Sequence, residues 1–326
     1  MATLRAEIES FPIAGRFVIS RGAKTEARVV VATTEAGAFR GRGECVPYPR
    51  YGESVESVVA AIEGVRAQIE AGADRAQLQA LLPPGAARNA LDCALWDLEA
   101  KTTGVPAHVR AGIAAPGPVV TAYTISVDTP EAMAAAAARA SSRPLLKVKL
   151  GGAGDRERIA AVRAAAPQAT LIVDANEAWA PADLAPLLAA CAEAGVALVE
   201  QPLPAADDAA LARIAHPVPI CADESVHGLA GLAALRDRYD AVNIKLDKTG
   251  GLTEALAVAA EAERLGFSIM VGCMVGTSLA MAPALLLAGR AAFVDLDGPL
   301  LLARDRPEGL ASEGSTLMPA TPTLWG

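Results

Sequence analysis

The feature that most constrains this chain is a series of eight short apolar runs: VVTAYTISV, LLKVKLGG, ATLIVDANEAW, VALVEQPL, VPICADESV, AVNIKLDKTGG, FSIMVGCMVG and AAFVDLDGP. Runs this short and nearly continuous fit strands buried on both faces. Between them lie Ala-, Leu- and charge-rich stretches of helical length, such as Asp155 to Ala166, Pro181 to Ala194 and an Ala-rich stretch around Ala134. Strand, helix, strand recurring about every 25 residues is a β/α pattern. Eight strand candidates predict an α/β fold of the (β/α)7β, TIM-like barrel type rather than an open sheet.

In such a barrel the strands are parallel, and their C-terminal ends share the face where catalytic groups sit. Several runs end there in charge: Lys147-Val148-Lys149, Asp174, Glu200, Asp223 and Lys245. Side chains alternate along a strand, so Lys147 and Lys149 point into one pocket while Val148 points outward. Lys245 lies four strands round from Lys149, hence across that pocket. Three carboxylates on adjacent strand ends, without His or Cys among them, form a hard oxygen set that suits Mg²⁺ or Mn²⁺ rather than zinc. A lysine works as a base only when its ammonium form is disfavoured, and Lys147 beside Lys149 supplies a neighbouring cation. Two bases facing each other across one carbon meet the requirement for a racemase or epimerase. Asn176 and Glu224 adjoin the candidate ligands and read as supporting partners. Asp247 and Lys248 lie past the sixth strand end and read as helix-entry residues. His108, His216 and His227 read as peripheral.

Composition excludes some functions. With 326 residues, 52% of them apolar, the chain can bury a large core, and 4% aromatic content leaves that core to Ala, Val and Leu. A net charge of −8 without a basic stretch argues against nucleic acid and an anionic membrane surface. The five cysteines are scattered without CxxC spacing, which predicts free thiols in a reducing, cytoplasmic compartment. No apolar run reaches the roughly 20 residues that span a bilayer, and the first twenty residues carry Arg5, Glu7, Glu9 and Arg16 instead of a signal-peptide core.

Residues 1–115 have a different grain, predicting an α+β capping domain that the tail 304–326 completes, with the barrel over 116–303. Antiparallel strands are expected first, with turns at Gly37 and at Gly41 to Gly43. Helices should follow from Ser54 to about Ala71 and from Ala86 to Lys101, the second presenting Leu91, Ala94, Leu95 and Leu98 inward.

The stretches RGAKTEARVVV, ECVPYPRYGES, GAARNALDCALWDLEAK, KVKL, VDANEAW, EQPL, CADES, NIKLDKTGG and VDLDGP resemble, along nearly the whole chain, the enolase superfamily and within it the dipeptide epimerases. The resemblance implies one Mg²⁺ per subunit, with Mn²⁺ as an alternative, on Asp174, Glu200 and Asp223. It implies Lys149 and Lys245 as the bases and Lys147 as the cation beside the substrate carboxylate. The histidine-dependent branch is disfavoured, because the seventh strand end reads GCMVGTS. By the same resemblance Asp295 and Asp297 would hold the ammonium of a dipeptide, a task suited to paired negative charge. Arg21 and Lys24 would meet the second residue's side-chain carboxylate, and Thr124 would help hold the peptide. The implied reaction inverts the second residue of an Ala-Glu dipeptide by proton transfer between two lysines through an enediolate. N-acylamino acid racemisation, o-succinylbenzoate synthesis and non-catalytic, metal-dependent ligand binding remain as alternatives.

Overall fold

The computed structural model describes residues 2–326. It opens with an antiparallel sheet of β1 (Thr3–Ile19), β2 (Gly22–Ala36) and β3 (Phe39–Cys45) in sequential order. The β1–β2 hairpin turns over at Ser20 and Arg21, where Ile19 pairs with Gly22. Five helices follow: α1 (Val55–Gly64), α2 (Arg66–Glu70), α3 (Arg75–Leu81), α4 (Ala86–Thr103) and α5 (Ala107–Arg110). Ser54 with Ser57, and Asp74 with Gln77, form reciprocal capping boxes that satisfy the first amides of α1 and α3. The single helix expected from Ser54 to Ala71 is two, because the chain leaves helical geometry at Val65, just after Gly64, a poor helix former.

Two further expectations are corrected. Gly41 and Gly43 lie inside β3, not in a turn. A Cβ on Gly43 would stand 2.1 Å from Ala90 O and one on Gly41 2.2 Å from Ala94 O, so these glycines let α4 rest directly on the strand. Nor does α4 carry one apolar stripe. Ala90, Leu91, Ala94 and Leu95 pack into the core under the first sheet, while Cys93, Trp96 and Ala100 belong to the barrel's core. Leu98 is only half-buried.

After β4 (Val119–Val120) come the eight parallel strands β5 (Tyr123–Ile125), β6 (Leu145–Lys149), β7 (Thr170–Asp174), β8 (Val196–Glu200), β9 (Ile220–Ala222), β10 (Ala241–Ile244), β11 (Ser268–Gly272) and β12 (Phe293–Asp295), adjacent in chain order. The ring closes between β5 and β12 through Ala122 N donating to Val294 O at 2.8 Å. Helices α6 (Pro130–Arg139), α7 (Asp155–Ala165), α8 (Leu184–Glu193), α9 (Leu246–Thr249), α10 (Leu252–Arg264), α11 (Ser278–Ala284) and α12 (Gly298–Leu301) connect the strands. After β8 and β9 the connections shrink to 3₁₀ turns. The tail adds β13 (Ser312–Glu313) and β14 (Thr316–Leu317), the latter paired with β4. It ends on Trp325, whose Nε1 donates to Cys93 O at 2.9 Å.

The two-residue period of each strand sorts its side chains. Outward positions such as Leu146, Val148, Val173, Val199, Val242 and Val271 meet the helices in the main core. The inward positions nearest the strands' N-terminal ends, Leu145, Ile172, Leu198, Cys221, Ala241 and Met270, form an apolar floor. Two residues further along, inward positions carry Lys147, Asp174, Glu200 and Asn243, all buried above that floor. All five cysteines are free. Among the described residues, no helix is long and apolar enough to cross a membrane.

Candidate active site

A cavity of about 300 Å³ opens at the C-terminal ends of the barrel strands. Its lining includes Lys147, Lys149, Asp223, Lys245, Asp295, Asp297 and Thr124 from the barrel, and Arg21 and Lys24 from the hairpin. Asp174 and Glu200 lie just beneath, buried and paired in register on β7 and β8. Strand alternation and the hairpin thus bring together all the candidate residues named from the sequence. Lys149 and Lys245, four strands apart on an eight-stranded ring, stand on opposite walls.

The carboxylates hold lysines. Asp174 Oδ2 is 2.6 Å from Lys149 Nζ and 3.2 Å from Lys147 Nζ. Lys147 also reaches Glu200 Oε2 at 2.6 Å and Asp295 Oδ2 at 2.7 Å. Asp223 is shared by Lys245 on Oδ2 and Lys248 on Oδ1, each at 2.6 Å. Burial alone disfavours the Lys147 ammonium, but Asp295, Glu200 and Asp174 outweigh it and hold its pKa well above the ordinary value. Lys245 is likewise raised, Asp223 and Glu200 overcoming burial. That is opposite to the shift a base requires. Burial would lift Asp174 and Asp223, yet the lysines around them hold both below the usual carboxylate range. Glu200 is pushed up to about 7 by burial and by Asp174.

No group of three or more His, Cys, Asp or Glu side chains among the described residues converges as a ready-made metal cage. The donor set still fits a hard divalent cation. Asp174, Glu200 and Asp223 present only oxygen, and Glu200 Oε2 is buried without an aligned hydrogen-bond donor, although it lies close to Lys147. A cation on these three would also relieve the charge hold on Lys245. Gly272 makes room for the supporting Asn243, whose Nδ2 donates to Glu200 Oε1 at 2.7 Å. A Cβ on Gly272 would fall 2.5 Å from that amide.

On β12 and the turn after it, Asp297 Oδ2 accepts the Thr124 N–H at 2.7 Å. Burial and the neighbouring Asp295 push Asp297 up to about 7. Asp295 Oδ1 is buried with no hydrogen-bond partner. The pair therefore lacks a cation on its open side. Of the hairpin cations, Arg21 makes four hydrogen bonds to protein acceptors: Asn176 O, Glu177 Oε2, Tyr48 Oη and Glu224 Oε1. Lys24 lies 5.2 Å from the Tyr48 ring centroid and forms no ion pair among the described residues. Asn176 and Glu224, read as supporting partners, both line the cavity.

Sequence reasoning missed three parts of this site. Lys248 does lie in the helix entry, in α9, but it is a buried lysine that donates to Asp223 O, Asp223 Oδ1 and Asn243 O. The turn Tyr48-Pro49-Arg50-Tyr51 forms part of the roof. Its signal was two of the chain's four tyrosines within four residues. The loop after β11 supplies Cys273, Met274 and Val275 to the wall, and Glu44 anchors it by accepting Thr277 N at 2.8 Å. No local pattern marks that contact.

Comparison with known proteins adds independent findings. Residues 131–298 match the family described as Enolase C-terminal domain-like. Residues 2–109 match the Mandelate racemase / muconate lactonizing enzyme, N-terminal domain. The chain is 53% identical to the L-Ala-D/L-Glu epimerase of Escherichia coli over 94% of this chain and 96% of that protein. It is 46% identical to an N-acetyl-D-glutamate racemase from a Pseudoalteromonas species, over 91% and 94% of the two. A crystal structure from Agrobacterium tumefaciens is 60% identical and superposes over 100% of both chains with a TM-score of 0.99. That protein is described as an enolase family member with homology to dipeptide epimerases, holding sodium and L-Ala-L-Glu with an ordered loop.

Proposed function

The chain belongs to the enolase superfamily, and from that membership we infer that it is a dipeptide epimerase acting on the second residue of an Ala-Glu dipeptide. It is an isomerase of the racemase and epimerase kind. The observation that carries the reading is the pair Lys149 and Lys245 on opposite walls of one cavity, with the open face of Asp295 and Asp297 beside them.

Lys149 as the free amine takes the α-proton from the L-configured face, and the Lys245 ammonium returns a proton on the other. As the proton leaves, negative charge spreads onto the substrate carboxylate, where the buried Lys147 ammonium is kept charged by its three carboxylates. Asp174, Glu200 and Asp223 would hold a divalent cation, Mg²⁺ or Mn²⁺, which when bound would supply Lewis-acid stabilisation of that same charge. Asp295 and Asp297 take the dipeptide ammonium, for which Asp295 Oδ1 offers an unpartnered buried acceptor. Lys24, free of protein carboxylates, meets the acidic side chain, while Arg21 keeps the hairpin in place.

A second reading, racemisation of an N-acylated amino acid, is favoured by the 46% identity to an N-acetyl-D-glutamate racemase. An acylated amine lacks the charge that Asp295 and Asp297 are built to meet.

One experiment in D₂O tests both readings. With Mg²⁺, the wild-type protein should label and invert the second residue of L-Ala-L-Glu. Lys245→Ala should still exchange that α-proton without inverting it. Asp297→Asn should raise KM for the dipeptide and leave N-acetylglutamate unaffected. Faster turnover of N-acetylglutamate than of any dipeptide would replace the first reading with the second. No label with any dipeptide or acyl amino acid would remove both.

A further inference from the structure

The turn that follows β7 carries two non-glycine residues in left-handed backbone, Asn176 at φ 44° and Glu177 at φ 67°, and Gln201 after β8 is a third at φ 34°. Such residues persist only where their surroundings over-determine them. Glu177 N donates to Gln201 O at 2.9 Å, so the strained turns brace each other. What the strain achieves is an orientation. Asn176 N donates to Asp174 Oδ1 at 2.9 Å beneath the cavity, while Glu177, the next residue, faces the roof.

There Glu177 gathers three separate segments. Oε2 accepts Arg21 Nη1 at 3.1 Å and Arg50 Nε at 2.9 Å. Oε1 accepts Arg50 Nη2 at 2.9 Å and the Ala205 amide at 2.8 Å. Its side chain is only 8% exposed, whereas those of Arg21 and Arg50 are 26% and 38% exposed. The bidentate Arg50 contact is the geometrically specific kind. Ser20 Oγ and Arg21 Nη1 each donate to Asn176 O at 2.8 Å, fastening the hairpin to the same turn. The hairpin tip and the Tyr48–Tyr51 turn form the roof of the cavity, and neither is part of the barrel.

We propose that Glu177 is the clasp that holds this two-part roof shut over the cavity, a positioning residue that governs how long the substrate is retained. Both roof segments meet at its one carboxylate, and Arg21 Nη2, which donates to Tyr48 Oη at 3.1 Å, ties the two segments to each other. The clasp acts on KM, because it touches neither the bases nor the candidate metal carboxylates. Its kinetic consequence rests on the dipeptide epimerase reading, but its mechanical consequence does not.

Limited trypsin digestion of the substrate-free protein tests it, since Arg21, Lys24 and Arg50 are themselves cleavage sites on the roof. Loss of a charge-assisted contact of this kind predicts roughly tenfold faster cleavage at these residues in Glu177→Gln, with an unchanged thermal midpoint. Arg50→Gln, which removes the site at position 50, should reproduce the effect at Arg21 and Lys24, and there the double variant should add little to either. In turnover of L-Ala-L-Glu, both should raise KM about tenfold with kcat within about twofold. Cleavage as slow as in the wild-type protein would overturn the clasp, as would faster cleavage matched by a general fall in thermal midpoint. Faster cleavage with unchanged KM would overturn its part in retaining substrate. Absence of any dipeptide turnover by the wild-type protein would count against the functional reading and leave the digestion result standing.

Discussion

Asp247 shows how a single residue at the junction of two cores carries a titration. It stands just past Lys245, where its Oδ1 accepts Val46 N at 3.0 Å and Asn89 Nδ2 at 2.8 Å. Burial, with the carboxylates of Glu53 and Glu44 nearby, pushes it up to about 7 in spite of those two bonds. Its pKa is raised, so between the ordinary value of 3.8 and about 7 the folded state keeps a proton that the unfolded chain has lost. Its contribution to stability is therefore full at acid pH and disappears as pH rises through that window. Asp247→Asn should flatten the wild-type fall in unfolding free energy over this range, by an amount on the order of a few kcal/mol. Urea titrations at a series of pH values measure it; parallel pH profiles for the two proteins would show that Asp247 does not carry the dependence. At this scale the strand-end residues were legible in the sequence, because a period of two leaves no choice about which side chains enter the barrel. Lys248 and Glu177 were not, since both act across the fold on groups that no sequence spacing relates to them.

Among elements, α4 and β3 depend on each other through small residues. In the sequence Gly41 to Gly43 suggest a turn, because glycine clusters usually mark one. Their real constraint is the absence of a Cβ beneath a helix, which appears only when the helix is in place. Gly43→Ala would set a methyl 2.1 Å from Ala90 O and 2.7 Å from Ala94 N, both backbone atoms that cannot turn aside. It should cost about 3 kcal/mol or more by overpacking. Gly64→Ala, with nothing within 4 Å, should be neutral or mildly stabilising. Urea midpoints of the two variants provide the comparison, and a Gly43→Ala protein as stable as wild type would mean that α4 can shift away from the strand. The α4 error has the same origin: burial on several sides erases the single-stripe pattern that marks a surface helix.

Across the molecule, the first sheet and the barrel share elements instead of merely touching. Strand β2 sends Val30 and Ala32 to one core and Val29 and Val31 to the other. Helix α4 divides its residues in the same way, and Leu324 and Trp325 reach from the tail into the barrel's core. The chain should therefore unfold in a single cooperative transition. All three tryptophans, Trp96, Trp179 and Trp325, sit in the barrel's core, so their fluorescence should track loss of far-ultraviolet circular dichroism. Separated transitions for the two signals would show that the first sheet and its helices can unfold independently.

By itself the sequence determined the barrel, the face on which the charges gather and the pairing of two lysines across it, because buried strands impose a period that residue types must obey. Tertiary structure alone decided what closes that face. Arg21, read as a receptor for substrate, is engaged by Glu177 and Glu224, and Lys24 is left as the cation without a carboxylate partner. The roof comes from the first sheet and the turn after it, and its contacts with the barrel join residues more than a hundred positions apart. A period describes neighbours along one element, and holds no information about which distant side chains will meet.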